Sequence, residues 1–149
     1  GERVGALSVV TGSSDEAERV LSQLKRVIRT NYSNPPMHGG EIAAMVLSNP
    51  ELRALWEREL GEMRERIKLM RRLLVEKIRE QRSDFDFGHV LEQRGMFSYS
   101  GLTRTQVQAL RERHSIYAVE SGRICVAALG TRNVDYVARA IGQVLVTTR

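Results

Sequence analysis

The 149-residue chain is 42% hydrophobic and 28% charged, with 23 basic and 18 acidic groups giving a net charge of +5. This is the size and balance of one soluble globular domain with a sizeable core. It excludes a membrane-spanning helix, because no apolar run reaches about 18 residues, and an internal disulfide framework, because Cys125 is the only cysteine.

A lone thiol suits a reducing cytoplasm, and the first ten residues lack the basic-then-apolar pattern of a signal peptide. The chain opens without Met, inside a predicted strand, so preceding residues are expected. That strand is Arg3–Thr11. It is apolar on both faces through Val4, Ala6, Leu7, Val9 and Val10, and burial is expected. Ser13 and Glu16 form a capping box for a helix over Ser14–Thr30, whose stripe is Val20, Leu21, Leu24, Val27 and Ile28. Asn31–Gly40 reads as irregular loop, stiffened by Pro35 and Pro36 and ended by two glycines. Composition changes here, which marks an edge between two structural regions. A short helix over Glu41–Leu47 follows.

Pro50–Arg82 is the longest periodic stretch. Leu52, Trp56, Leu60, Met63, Ile67, Met70, Leu74 and Ile78 recur every three or four residues, with Glu and Arg filling the other face. Ser48 and Glu51 spell a capping box, and Pro50 suits the first turn. The helix would be roughly 48 Å long, against a diameter of roughly 38 Å for a compact chain of this size. Either it leans on something this chain lacks, or it joins two domains. Beyond it, Phe85–Val90 and Gly95–Tyr99 read as strands, and Thr103 with Gln106 caps a helix over Arg104–His114. Ile116–Val119, a turn ending in Gly122, and Arg123–Leu129 read as strand, turn and strand. Thr131 caps a last helix over Asn133–Val146. The alternation after residue 83 predicts a small α/β layer.

Few residues stand out as chemistry. His38, His89 and His114 have no partner at metal-ligand spacing, so no metal is expected. Glycine-rich phosphate loops and the nucleophile elbow are absent. Cys125, inside Arg123–Leu129, is expected to be buried and inert. Arginine is spread along helices with Glu interleaved, and eight aromatic residues are too few for a stacking surface, so no nucleic-acid partner is expected. Three arginines remain. Arg123 enters an apolar strand directly after Gly122, where a guanidinium needs an anion. It could equally pair with Glu120 or snorkel to solvent. Arg3 opens a strand in the same manner and could hold a phosphate, or pair with Glu2. Arg29 ends a helix, where the dipole favours any cation.

Four segments together carry a resemblance: Glu2-Arg-Val-Gly5, Ile28–Pro36, Arg94–Leu102 and Ser121–Ala127. In this order they resemble the C-terminal part of the aspartate and aromatic-amino-acid aminotransferases, the pyridoxal-phosphate enzymes of fold type I. The likeness covers the whole chain. Gln93–Tyr99 and Arg123–Val126 look closer to the bacterial aromatic (tyrosine) branch than to the aspartate branch. Ala128 departs from the glycine usual in the family.

The resemblance implies an α/β fold in which residues 1–47 are the last strand and helices of a large cofactor domain. Residues 48–149 would be the long interdomain helix and a small C-terminal domain. It implies pyridoxal 5'-phosphate as cofactor, amino-acid and 2-oxo-acid substrates, a cytoplasmic homodimer, and no membrane partner. Arg3 matches the arginine on the cofactor phosphate, and Arg123 the one on the substrate α-carboxylate. Arg29 matches the arginine that reaches into the neighbouring subunit's site toward a dicarboxylic side chain. Phe97 matches an aromatic lining the substrate pocket, and Asn31–Pro36 a loop at the dimer boundary. The family's Schiff-base lysine falls upstream of Gly1, as do the residues that hold the pyridine ring. Lys25, Lys68 and Lys77 match none of them. The chain therefore reads as a fragment with no catalytic residue of its own, inactive in isolation. A non-catalytic interaction fragment is the alternative, and so is a preference for aspartate over aromatic substrates.

Overall fold

Ser13 opens the first helix through its side chain, as the spacing predicts. In the computed structural model, which describes residues 3–147, Ser13 Oγ accepts the Glu16 N–H at 3.2 Å. The Glu16 carboxylate reaches back to the N–H of Gly12 at 2.9 Å, one residue earlier than a capping box requires. Helix α1 runs Ser14–Asn31. It closes with the N–H groups of Tyr32 and Ser33 both donating to Ile28 O, Ser33 lying in the left-handed region at φ 66°.

The chain divides into two units, Gly1–Arg58 and Glu59–Arg149. In the first, the predicted strand over Arg3–Thr11 does not form, and the segment is irregular and largely exposed, with Val10 96% accessible. A strand needs a ladder partner, and no described residue provides one. Helix α2, Met37–Ser48, begins earlier than expected and contains both glycines assigned to the loop. Pro36, at φ −58°, stands at its N-cap.

Helix α3 spans Pro50–Gln81, one residue short of the predicted end. Its cap differs from prediction. Ser48 is the last residue of α2, and Asn49 Oδ1 accepts the N–H groups of Glu51 and Leu52 at 2.9 and 3.1 Å. The apolar stripe is used unevenly. Leu52, Trp56, Leu60 and Met63 are exposed, Ile67 is half-buried, and Met70, Leu74 and Ile78 are buried.

In the second unit, the buried end of α3 packs with helices α5 (Arg104–His114) and α6 (Val134–Thr147). Leu74, Ile78, Val107, Leu110, Ile141 and Val144 are among the core residues, joined by Val90 from the one-turn helix α4, His89–Glu92. Both halves of the Thr103–Gln106 capping box on α5 are present. The sheet is smaller than predicted. It has two antiparallel strands, β1 (Phe97–Tyr99) and β2 (Arg123–Cys125), in the register Phe97↔Cys125, Ser98↔Ile124 and Tyr99↔Arg123. Phe85–Val90 instead turns around Asp86, whose carboxylate accepts the Gly88 N–H at 2.8 Å. Ile116–Val119 leaves α5 through a left-handed cap at Ser115. Ile116 donates back to Leu110 O at 3.1 Å, and Val119 donates to Arg123 O at 3.1 Å, without a ladder along the segment. Residues 126–128 wind into a single 3₁₀ turn rather than extending the strand. Before α6, the side chain that braces the turn is Asn133, which accepts the Gly130 N–H at 2.7 Å.

Candidate functional site

The β1–β2 ribbon has two unlike faces. Ser98 is buried and Ile124 half-buried on the inner face, while Phe97, Tyr99, Arg123 and Cys125 are exposed on the outer one. Alternation along the strand explains this, since residues two apart share a face. It also corrects the expectation for Cys125, which is exposed because it shares a face with Arg123. The Arg123 guanidinium carbon lies 4.9 Å from the Phe97 ring centroid, in cation–π range. Glu120, the acid nearest in sequence, is taken by Arg104 at 3.0 Å. Among the described residues Arg123 has no ion-pair partner. Its fork is therefore available to an outside anion.

Backbone geometry aims Arg123. Gly122 has φ 83°, and a Cβ there would come within 2.7 Å of Leu102 O. Only glycine tolerates both conditions. Ser100, fully buried, locks the junction by donating its N–H and its hydroxyl to Gly122 O at 2.9 and 2.7 Å.

Two arginines of α3 hold this ribbon, and neither stands out in the sequence. Arg66 donates to Ala127 O at 3.2 Å and to Leu129 O at 2.6 Å, just beyond β2. Arg71, 5% exposed, donates to Gln93 O, to Gly95 O at 2.9 Å and to Ser98 Oγ at 3.0 Å. Its Nε is buried without a partner. Desolvation by burial, and then repulsion from Arg94, lower the pKa of Arg71. Each of its charge-assisted bonds is worth of order 1.5–3 kcal/mol, set against that desolvation. Gln93 adds a further clamp, because its side-chain amide donates to Tyr99 O at 2.9 Å and accepts from Tyr99 N–H at 2.7 Å. Arg71 also lines a groove of about 810 Å³ with Leu60, Met63, Ile67, Leu91 and Met96, but Phe97 and Arg123 are not in its walls.

Two other predicted residues lie in the first unit. Arg29, near the C-terminal end of α1, donates to Ser33 Oγ at 2.9 Å and is exposed. Arg3 is exposed, and its expected partner Glu2 lies outside the described residues. Of the lysines, Lys68 pairs with Glu65 at 2.9 Å, Lys77 pairs with Asp135, and Lys25 is exposed on α1. Among the described residues no three His, Cys, Asp or Glu side chains are grouped to share a metal. No helix there is long and apolar enough to cross a membrane. What this arrangement offers is fixed cations, one of them on an aromatic face. It offers no base poised beside a nucleophile.

Residues 1–141 match the family described as Aminotransferase class I and II. The chain is 61% identical over 145 residues to an aspartate aminotransferase of Pseudomonas aeruginosa, covering 97% of this chain and 36% of that protein. It is 48% identical over 145 residues to an aromatic-amino-acid aminotransferase of Escherichia coli, with the same coverage of 97% and 36%. The chain thus spans little more than a third of these relatives. A crystal structure of an aromatic-amino-acid aminotransferase from Burkholderia pseudomallei, covalently bound to pyridoxal phosphate, superposes with a TM-score of 0.83. The identity is 65%, over 91% of this chain and 34% of that one. The fold is therefore that of the type I pyridoxal-phosphate enzymes, mostly helical here with a small sheet.

Proposed function

The chain belongs to the class I and II aminotransferases, and from this we propose that it works as the C-terminal part of a transaminase acting on aromatic or acidic amino acids. The partner substrate is a 2-oxo acid and the cofactor pyridoxal 5'-phosphate. Residues 1–47 belong to the large cofactor domain in this reading, and residues 48–149 to the interdomain helix and small domain. The complete enzyme is a cytoplasmic homodimer.

The observation that carries the reading is Arg123 on Phe97, without an ion-pair partner among the described residues, with Glu120 diverted to Arg104. A planar fork without an internal partner, next to an aromatic wall, suits the α-carboxylate of an amino acid. Phe97 lines the pocket beside it. Arg29 approaches the distal end of a substrate held by the other subunit, and Arg3 takes the cofactor phosphate.

The described residues fit only part of the cofactor. Arg3 is an exposed cation suited to phosphate, but no lysine is placed for the aldehyde. Lys68 and Lys77 are engaged, and Lys25 stands on a solvated helix face. The family resemblance implies that this lysine falls upstream of Gly1, and we adopt that placement. Bound pyridoxal phosphate supplies the electron sink, and that lysine the proton transfer. This chain's contribution is to bind and orient substrate anions.

A second reading, a non-catalytic interaction fragment, draws on the exposed Leu52, Leu55, Trp56 and Leu60 of α3. Mixing the chain with an N-terminal complement from a relative and assaying transamination separates the two. Restored activity supports the transaminase reading. A stable complex with no activity supports the interaction fragment.

A further inference from the structure

We propose that Arg71 is the positioning residue of the substrate clamp, setting the geometry of Arg123 and Phe97 from behind the ribbon. This rests on the reading of Arg123 as the carboxylate site.

Arg71 occupies a core position between Met70 and Leu74, where an apolar side chain would bury at no electrostatic cost. What a guanidinium adds there is a rigid fork with several donors. All its bonds go to one segment: Gln93 O, Gly95 O and Ser98 Oγ. Two routes lead from that segment to the clamp. Ser98 pairs with Ile124 in the ladder, next to Arg123. Gln93, held by its carbonyl, grips both backbone groups of Tyr99, whose ladder partner is Arg123 itself. Phe97 lies between Gly95 and Ser98, the two residues that Arg71 Nη2 fastens. None of the acceptors is acidic, so the charge of Arg71 is not neutralised by what it holds.

The test uses the complete enzyme carrying this segment, with Arg71→Lys, Arg71→Met and Arg123→Leu compared. We measure kcat and KM per active site for one dicarboxylic and one aromatic amino acid, together with the melting temperature. A clamp out of register should lower kcat/KM by about 10- to 100-fold for both substrates, chiefly through KM. Arg71→Lys, which keeps the charge and loses the fork, should fall between wild type and Arg71→Met. A merely structural role would lower the melting temperature or the fraction of active sites and leave KM unchanged, and that result overturns the proposal. If Arg71→Met does not fold, KM in Arg71→Lys decides by the same criterion. Arg123→Leu separates the two layers. If it leaves kcat/KM unchanged, the carboxylate assignment itself fails. If it abolishes activity while both Arg71 variants keep wild-type KM, only the positioning role of Arg71 is refuted.

Discussion

The guanidinium of Arg123 rests 4.9 Å from the ring centroid of Phe97, while its neighbour in sequence, Glu120, binds Arg104. The ring orients the cation without neutralising it, at an energy of about 0.5–1 kcal/mol for an exposed pair. In the proposed role, a carboxylate arriving from solution would meet a fork already held in place, which would lower the ordering cost of binding. Arg123→Leu in the complete enzyme should therefore weaken every amino-acid substrate alike. The lost bidentate contact is worth of order 1.5–3 kcal/mol, or about ten- to a hundredfold in kcat/KM. Steady-state kinetics with an aromatic and an acidic substrate checks this. An unchanged kcat/KM would make Arg123 a surface cation only.

Gly122 should be as intolerant as the arginine it introduces. Its φ of 83° and the 2.7 Å approach of a would-be Cβ to Leu102 O leave no room for alanine. Gly122→Ala should cost about 1–3 kcal/mol of stability, read by chemical denaturation, because a left-handed residue must be strained or the turn must move. It should also weaken substrate binding, since the turn sets the start of β2. Wild-type stability and KM together would mean that the turn relaxes freely.

The helices were legible in the sequence because their signals are local. Apolar spacing places α1, α3, α5 and α6 to within a residue or so, and the predicted capping residue is the observed one in α1 and α5. Strands were legible only in part: β1 and β2 form inside the predicted Gly95–Tyr99 and Arg123–Leu129, but a strand exists only when a distant segment supplies the ladder. Arg3–Thr11, Phe85–Val90 and Ile116–Val119 all have strand composition and none gains a partner over its length. The cap at Asn49 was missed for another reason. Ser48-x-x-Glu51 is a valid box, but α2 runs through Ser48 and leaves Asn49 to cap. Arg123 could be singled out by its place after a glycine. Arg71 could not, since it reads as one more arginine on a charged helix and its partners lie 22 to 27 residues away.

The two ends of α3 should respond differently to truncation. Leu74 is fully buried, and Leu74→Ala in this chain should cost about 2–5 kcal/mol through lost burial and a cavity. Leu60 belongs to the same apolar stripe but is 40% exposed, and Leu60→Ala should stay within about 0.5 kcal/mol. Equal losses in denaturant melts of the two variants would mean that the first half of α3 is covered in solution.

The isolated chain should not carry the cofactor covalently. It can be incubated with pyridoxal phosphate, reduced with borohydride and mapped by peptide mass. Slow, scattered labelling of exposed lysines is expected, with no transaminase activity. Lys68 and Lys77 are held by Glu65 and Asp135, and Lys25 is exposed on α1. Stoichiometric labelling of a single lysine, with activity, would overturn the assignment of that lysine to upstream residues.

Arg29 provides the most demanding test, because the proposal places it in the other subunit's pocket. Within its own unit its bond to Ser33 Oγ, at 2.9 Å, is one exposed contact to a neutral hydroxyl. Such a bond is readily exchanged for a carboxylate, which carries the opposite charge and accepts both arms of the fork. Arg29→Asp in the complete enzyme should lower kcat/KM for aspartate and glutamate by several orders of magnitude, because two like charges would then face each other in a desolvated site. Aromatic substrates should lose far less, and lysine or arginine should gain. Action across the interface makes a stronger claim. In a mixture of Arg29→Asp and Arg123→Leu subunits, each heterodimer has one site with both lesions and one site with neither. Subunit exchange should therefore restore part of the aspartate activity that each parent lacks. If the exchanged mixture stays as inactive as its parents, Arg29 serves its own subunit and the proposed dimer placement is wrong.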